Sequence, residues 1–356
     1  MAELIKFEKT EKGNDPADHV DDLDYEQKLR ASILSPNQTP SWIDKYKVSS
    51  AELKAIDDAE FIIEGLVMAG HLIMVAAEAN GGKTTIFMHL SGEMVKKGFK
   101  VIYVNADISA GDAKGFGAQA EALGVDLLLP DMKIGKSMKD VVTELKKMNS
   151  QAGDYSHLVF VFDTLKKMTD IINKRSSKEL FGTLRGLTAK GATIVLLAHT
   201  NKYKGDDGKP IFEGTGDLRN DADDLIYLIP EKHSDGSMTV SVEPDKTRAP
   251  IKHMTFDIDG NRRVTQRDNY VDLMAAQAKI RQRETDQEYI ERITEAIDQN
   301  KMKQSEIVMH CRDHGISRNK TLACLKRYSK GADQLWIAKR GFEKNIVTYA
   351  LVNQRQ

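Results

Sequence analysis

The stretch from His71 to Gly98 limits the fold of this chain more than any other. An aliphatic run, HLIMVA (71–76), stops at AEANGGKTT (77–85), and an amphipathic pattern, TTIFMHLSGEMVKKG (84–98), begins at once. A short apolar run reads as a buried strand, and apolar residues three and four apart read as one face of a helix. Strand, glycine-bearing loop and helix in immediate succession open a βαβ unit, so a mainly parallel sheet is expected. The loop nearly matches GxxxxGK[ST], in which backbone N–H groups curl around a phosphate at a helix N-terminus. The candidate phosphate-holding residues are Asn80, Gly81, Gly82, Lys83, Thr84 and Thr85, with Lys83 directed at the outer phosphate oxygens and the Thr84 hydroxyl a candidate ligand of Mg²⁺. Ala77 stands where the pattern asks for its first glycine, which matters only if that position needs a positive φ or the space of a missing side chain. The plain alternative is a strand-to-helix turn with a surface lysine.

Further strands are expected at KVIYVNA (100–106), HLVFVF (157–162), TIVLLA (193–198), LIYLI (225–229), MTVSVE (238–243) and HMTFDI (253–258), separated by amphipathic stretches. Residues 1–50 read as an acidic flexible arm and connector, 51–267 as an α/β domain, and 268–284 as a charged helical linker. Residues 285–356 read as a second domain, with three helical segments before a hairpin, LWIAKRGFEKNIVTYALV, in the manner of a winged helix. No apolar run approaches the roughly 18–20 residues of a membrane span, and the N-terminal sequence lacks the apolar core of a signal peptide. A cytoplasmic protein without membrane contact is expected. Only two cysteines, Cys311 and Cys324, occur, which rules out a disulfide framework. With His310 and His314 nearby they fit no common zinc spacing, and buried helical cysteines are the preferred reading. A net charge of −1 makes no global case for nucleic acid, but residues 1–60 hold 8 basic and 14 acidic side chains while 271–356 hold 16 and 11.

Three polar residues close core strands. HLVFVFD ends in Asp163, from which a carboxylate can hold the Mg²⁺ water shell. KVIYVNAD ends in Asp107, which either positions or deprotonates an attacking water or caps the helix that ADISAGD opens. TIVLLAHTNK places His199 at a strand end where a side chain can touch a terminal phosphate; a lone histidine there is more often a satisfied core residue.

Together these segments resemble the RecA-like ATPase core, and within it the hexameric replicative helicases of the plasmid RepA and DnaB kind. The likeness runs over residues 61–250. FIIEGLVMAGHLIMVAAEANGGKTT is similar to the approach to a Walker A loop, VIYVNAD to the second core strand, LVFVFD to Walker B and VLLAHTNK to the sensor strand. GTGDLRNDADDLIYL is similar to the short helix and strand that come next in this family. The resemblance implies ATP and Mg²⁺ as cofactors, and Lys83, Asp107, Asp163, His199, Lys246 and Arg248 as catalytic residues. Lys246 and Arg248, in SVEPDKTRAP, are similar to the Lys-x-Arg element that reaches a neighbouring subunit's ATP, so a hexameric ring is implied; two solvated charges are the plain alternative. This family usually has Glu where Asp107 stands. Loops facing the central channel would hold single-stranded or forked DNA through Lys166, Lys167, Lys174 and Arg175, and through Lys202, Lys204 and Lys209 with Tyr203 as a stacking platform. In the tail Arg318, Asn319, Lys320, Lys326 and Arg327, with Lys339 and Arg340 in the wing, can reach phosphates or bases; the tail can equally dock other replication proteins. The function expected is a ring-forming DNA helicase of a plasmid, phage or mobile element. A filament-forming recombination ATPase and a nucleotide-switched DNA-binding or loader protein are the alternatives.

Overall fold

The computed structural model describes residues 41–54, 59–132, 136–169, 174–205, 209–214, 216–341 and 346–352, without the side chains of residues 41, 52, 174, 202–204, 216 and 217. The chain forms two units, Met1–Asp58 and Ala59–Gln356. The described part of the first holds two short helices, α1 (Ser41–Asp44) and α2 (Ser50–Lys54). Most of the expected acidic arm, residues 1–40, lies outside the described residues.

In the second unit the order is β1 (Phe61–Ile63), β2 (Val67–Met68), β3 (Leu72–Ala77), α3 (Lys83–Lys96), β4 (Lys100–Asn105), α4 (Ala110–Leu123), β5 (Asp126–Leu128), α5 (Met138–Ser150) and β6 (Leu158–Asp163). Then come α6 (Leu165–Met168), α7 (Lys174–Thr188), β7 (Thr193–Lys204), β8 (Pro210–Phe212), α8 (Gly216–Asp221), β9 (Asp224–Lys232), β10 (Met238–Lys246), β11 (Met254–Ile258) and β12 (Val264–Gln266). The main sheet runs β12-β11-β10-β9-β3-β7-β6-β4-β5, with β8 beside β7. From β9 to β5 neighbours are parallel; β10, β11, β12 and β8 join antiparallel. The expected mainly parallel α/β fold is the one observed.

Period-two geometry explains why β3 is apolar at every position. Ile73, Val75 and Ala77 point to one face, packed with Ile86, Phe87, Leu90 and Met94 of α3; Leu72, Met74 and Ala76 point to the other, packed with Leu180, Phe181, Leu184 and Leu187 of α7. Each expected strand has an observed counterpart. The strands not expected, β1, β2, β5, β8 and β12, have three residues or fewer, too few for a periodic signal. One expected strand end is corrected: β7 does not stop at Ala198 but continues to Lys204, because β8 pairs with its far half.

After the sheet, α9 (Leu273–Asp298) begins with the Asp272 carboxylate accepting from the Ala275 N–H at 2.8 Å. Its first residue, Leu273, packs in the sheet core, and its last turns, with Ile293, Ala296 and Ile297, pack in a separate cluster. The helix crosses position 284 without a break. α10 (Gln304–Asp313), α11 (Arg318–Arg327) and the antiparallel hairpin β13 (Trp336–Arg340) and β14 (Val347–Leu351) complete that cluster around buried Ile307, Leu325 and Trp336. Cys311 and Cys324 are buried within it as free thiols, and burial pushes Cys324 up to about 12.

Candidate nucleotide site

The loop between β3 and α3 needs its glycines at the end rather than at the start. Gly82 caps α3 in the left-handed region, at φ 83°, and a Cβ there would lie 2.9 Å from Ile258 Cδ1. At Gly81 a Cβ would lie 3.0 Å from the Glu78 carbonyl oxygen. Ala77, by contrast, is the last residue of β3, paired with His199 and Leu228, and is fully buried. Its backbone is not among those with positive φ, so the position asks nothing that only glycine supplies.

No side chain caps α3, and its first backbone bond runs from the Ile86 N–H to Gly82 O, so the N–H groups of residues 83–85 precede the helical ladder. Such a terminus suits an anion. Lys83 is buried and folded back, its Nζ donating to Ala77 O at 3.1 Å and Glu78 O at 2.9 Å. Burial holds its pKa below the usual lysine value, against the pull of Asp163 and Glu78. Asp163, 7% exposed at the end of β6, accepts from the Thr84 hydroxyl at 2.6 Å and from the Tyr103 hydroxyl at 3.0 Å. Burial pushes the Asp163 carboxyl up, and burial together with Asp163 pushes the Tyr103 phenol well up. A hydroxyl and a carboxylate in contact beneath a lysine form an oxygen donor pair of the kind Mg²⁺ takes alongside phosphate oxygens, so the residues present fit MgATP.

Asp107 is exposed just beyond β4. Its N–H donates to Asn105 Oδ1 at 2.9 Å, and its carboxylate lies 3.4 Å from Lys167 Nζ. It does not cap α4; Ser109 does, accepting from the Asp112 N–H. His199 lies within β7 rather than at its end, opposite Ala77, and burial and then the Lys83 charge hold its imidazole below the usual histidine value. Lys83, Thr84, Asp163, Asp107 and His199 therefore share the carboxyl edge of the parallel strands, where open α/β sheets bind ligands.

Lys246 and Arg248 do not join them. Lys246 pairs with Leu225, which pairs with Met74, and the Arg248 N–H meets Asp224 at the opposite edge. From that edge to Ala77 is about five residues of strand, or about 17 Å. Lys246 Nζ donates to the carbonyls of Arg219, Asn220 and Ala222 around the end of α8, and Arg248 donates to Asp223 Oδ1 at 2.6 Å. Asp223 also takes Arg185 at 2.6 Å and the Leu72 N–H at 2.9 Å, while Asp224 accepts from His71.

The cationic candidates are dispersed. Lys166 pairs with Glu213, Lys167 with Asp107, and Lys320 sits over the Tyr289 ring. Arg175 lies on α7 and Lys209 borders β8. Arg327 is turned inward onto buried Asp286, which also accepts from the Tyr328 hydroxyl. Arg318 is exposed at the start of α11. The side chains of Lys174, Lys202, Tyr203 and Lys204 fall outside those described. Sequence reasoning passed over Tyr103 and Asn105, hidden in an ordinary strand, and over the pair Asp223 and Asp224, whose signal was two acids directly before an apolar run.

Fold and site define the class: an α/β core with a mainly parallel sheet and a glycine-bearing strand-to-helix loop at the sheet's carboxyl edge. Residues 43–205 match the AAA domain family. The DNA repair and recombination protein RadB of Methanococcoides burtonii is 24% identical over 196 residues, which are 52% of this chain and 85% of that protein. Among solved structures, the flagellar accessory protein FlaH of Methanocaldococcus jannaschii aligns at 16% identity and a TM-score of 0.41, covering 58% of this chain and 93% of that one. The RadB recombinase aligns at 20% and 0.38, covering 55% and 90%.

Proposed function

We propose that the protein is a Mg²⁺-dependent ATPase that acts on DNA as an oligomer, a recombination ATPase of the kind the RadB name describes. The observation that carries the ATPase reading is the Thr84 hydroxyl on the buried Asp163 carboxylate at 2.6 Å, directly behind Lys83 and the free N-terminus of α3. In this reading the N–H groups of residues 80–85 and Lys83 would hold the phosphates, and Thr84 and Asp163 would hold a metal whose charge would offset that of the phosphoryl group. Asp107 orients water, and His199, between the loop and β8, senses the terminal phosphate. Arg248, about 17 Å away at the far edge of its own sheet, serves the site of a neighbouring subunit. The RadB likeness favours recombination over unwinding. The ring-forming helicase stays the competing reading because Lys246 and Arg248 keep the Lys-x-Arg spacing of its trans-acting element.

Single-stranded DNA should stimulate ATP turnover, and Lys83→Ala should lower turnover by about 10²- to 10³-fold and block ATP-dependent DNA assembly. Separation of a forked duplex by the wild type and not by Lys83→Ala would replace the recombination reading with the helicase. Turnover unaffected by Lys83→Ala would sink both.

A further inference from the structure

At the junction of α9 and α10, far in sequence from the phosphate loop, Glu295, His310 and His314 each bring one ligand atom to within 4.8 Å of the others. The two histidines are four apart, so one helical turn places both rings on the same side, with centroids 4.6 Å apart. Glu295 comes from the last turn of α9, across the turn that joins the helices.

Two details go beyond proximity. His310 is buried, and its Nε2 is one of the few buried side-chain atoms with no hydrogen-bond partner among the described residues; it faces Glu295 Oε2 at 3.6 Å, too far for a hydrogen bond. A buried, unanswered imidazole nitrogen carries a desolvation cost that a ligand would remove. His314 Nδ1 is 2.8 Å from the His310 carbonyl oxygen, and an N–H donated there leaves Nε2 as the lone pair. Metal-bound histidines are oriented in this way, with the second nitrogen donating to a backbone carbonyl.

We propose that Glu295, His310 and His314 form a zinc site, with water as the fourth ligand, that ties the end of α9 to the end of α10. Two imidazoles and a carboxylate select a borderline transition ion over Mg²⁺ or Ca²⁺. Binding puts the His310 proton on Nδ1, which displaces Lys301 Nζ from its present 3.0 Å contact there; Lys301 keeps its 2.9 Å bond to Gln299 Oε1. The role is structural: the ion fixes the angle of two helices whose joint is only a short turn. It does not depend on the ATPase reading.

The test uses the full chain, stripped with chelator and free of Mg²⁺ and nucleotide. Titration with Zn²⁺ should show one tight site per chain, and Co²⁺ should give visible bands of a tetrahedral ion that Zn²⁺ bleaches, without a thiolate charge-transfer band. His314 is exposed, and its Nδ1 meets a backbone carbonyl, so His314→Ala should fold as the wild type does yet lose about 100-fold or more in affinity, beyond what a supporting partner alone contributes. Glu295→Gln should weaken binding in the same direction. Equal Zn²⁺ affinity in wild type and His314→Ala, no binding at millimolar Zn²⁺, or a thiolate band pointing to Cys311 would each overturn the site.

Discussion

At the carboxyl end of β3 and β6 the ionisable groups are buried ahead of their partners; at the amino end of β3 and β9 they are buried together with them. Asp163 and Lys83 are both held toward their neutral forms by burial. Burial also pulls the Asp223 carboxyl up, but hydrogen bonds from Arg185 and the Leu72 N–H more than offset it and hold the group low. Unmet electrostatic demand marks a place for a ligand, and a saturated carboxylate marks a joint. On this contrast Arg248 belongs to the joint within its own chain, and the proposed role at a neighbour's site requires it to leave Asp223.

The largest effect expected tests that exchange. Arg248→Ala should lower kcat by about 10³-fold, the low end of what an arginine finger supplies. Mixing it with Lys83→Ala subunits should restore part of the turnover measured by phosphate release, since each variant keeps the half-site the other lacks. No recovery at any ratio would leave Arg248 a purely internal partner of Asp223. Lys83→Ala alone should cost about 10²- to 10³-fold, the scale of losing one preorganised charge contact in the transition state.

Stability separates the two ends by sign. Asp223→Asn removes charge-assisted hydrogen bonds from Arg185 and Arg248 and should destabilise by about 2 kcal/mol in urea unfolding, a figure kept low because both guanidinium groups are partly exposed. Asp163→Asn should lower turnover yet stabilise the nucleotide-free protein by about 1 kcal/mol, since it removes a buried charge whose desolvation outweighs the hydrogen bonds it accepts from Thr84 and Tyr103. The two ends also differ in pH dependence. The Asp223 pKa is depressed on folding, so its contribution is present above about pH 4 and is lost as pH falls below it. The Asp163 pKa is raised, so its penalty appears as pH climbs from about 4 through its folded value. A wild-type stability profile identical to that of Asp163→Asn from pH 4 to 8 would break the contrast.

Legibility in the sequence divides along the same line. Strands β3, β4, β6 and β9 were legible because burial on both faces writes a continuous apolar run, and Lys83, Thr84 and Asp163 were legible because they end such runs or stand just beyond them. Asp223 was not, because a partnered acid before a strand looks like any helix terminus until the register brings Leu72, Arg185 and Arg248 to it. Tyr103 was hidden for a related reason: only the β4–β6 pairing of Asn105 with Asp163 places its hydroxyl on the carboxylate. The inward turn of Arg327 needed α9 and α11 side by side. Local pattern carries elements and their ends; partners across the sheet or between helices are set by packing.

The smallest effect concerns Ala77, where the sequence departs from the phosphate-loop pattern. If the first glycine of that pattern were needed for its backbone freedom, Ala77→Gly would raise turnover. Here the residue is extended, paired on both sides and buried, with Ala76 and Ala77 delivering the strand straight into the loop. Its methyl group lies about where a Gly81 Cβ would approach, at 3.3 Å, so it is Gly81 rather than Ala77 whose missing side chain makes the room. Ala77→Gly should therefore leave kcat and KM within about twofold and cost about 0.5–1 kcal/mol of stability, through the greater freedom of glycine in the unfolded chain and the lost buried methyl. A gain of tenfold in kcat would show that the alanine restrains the loop, and that the demand at the carboxyl end extends back into β3.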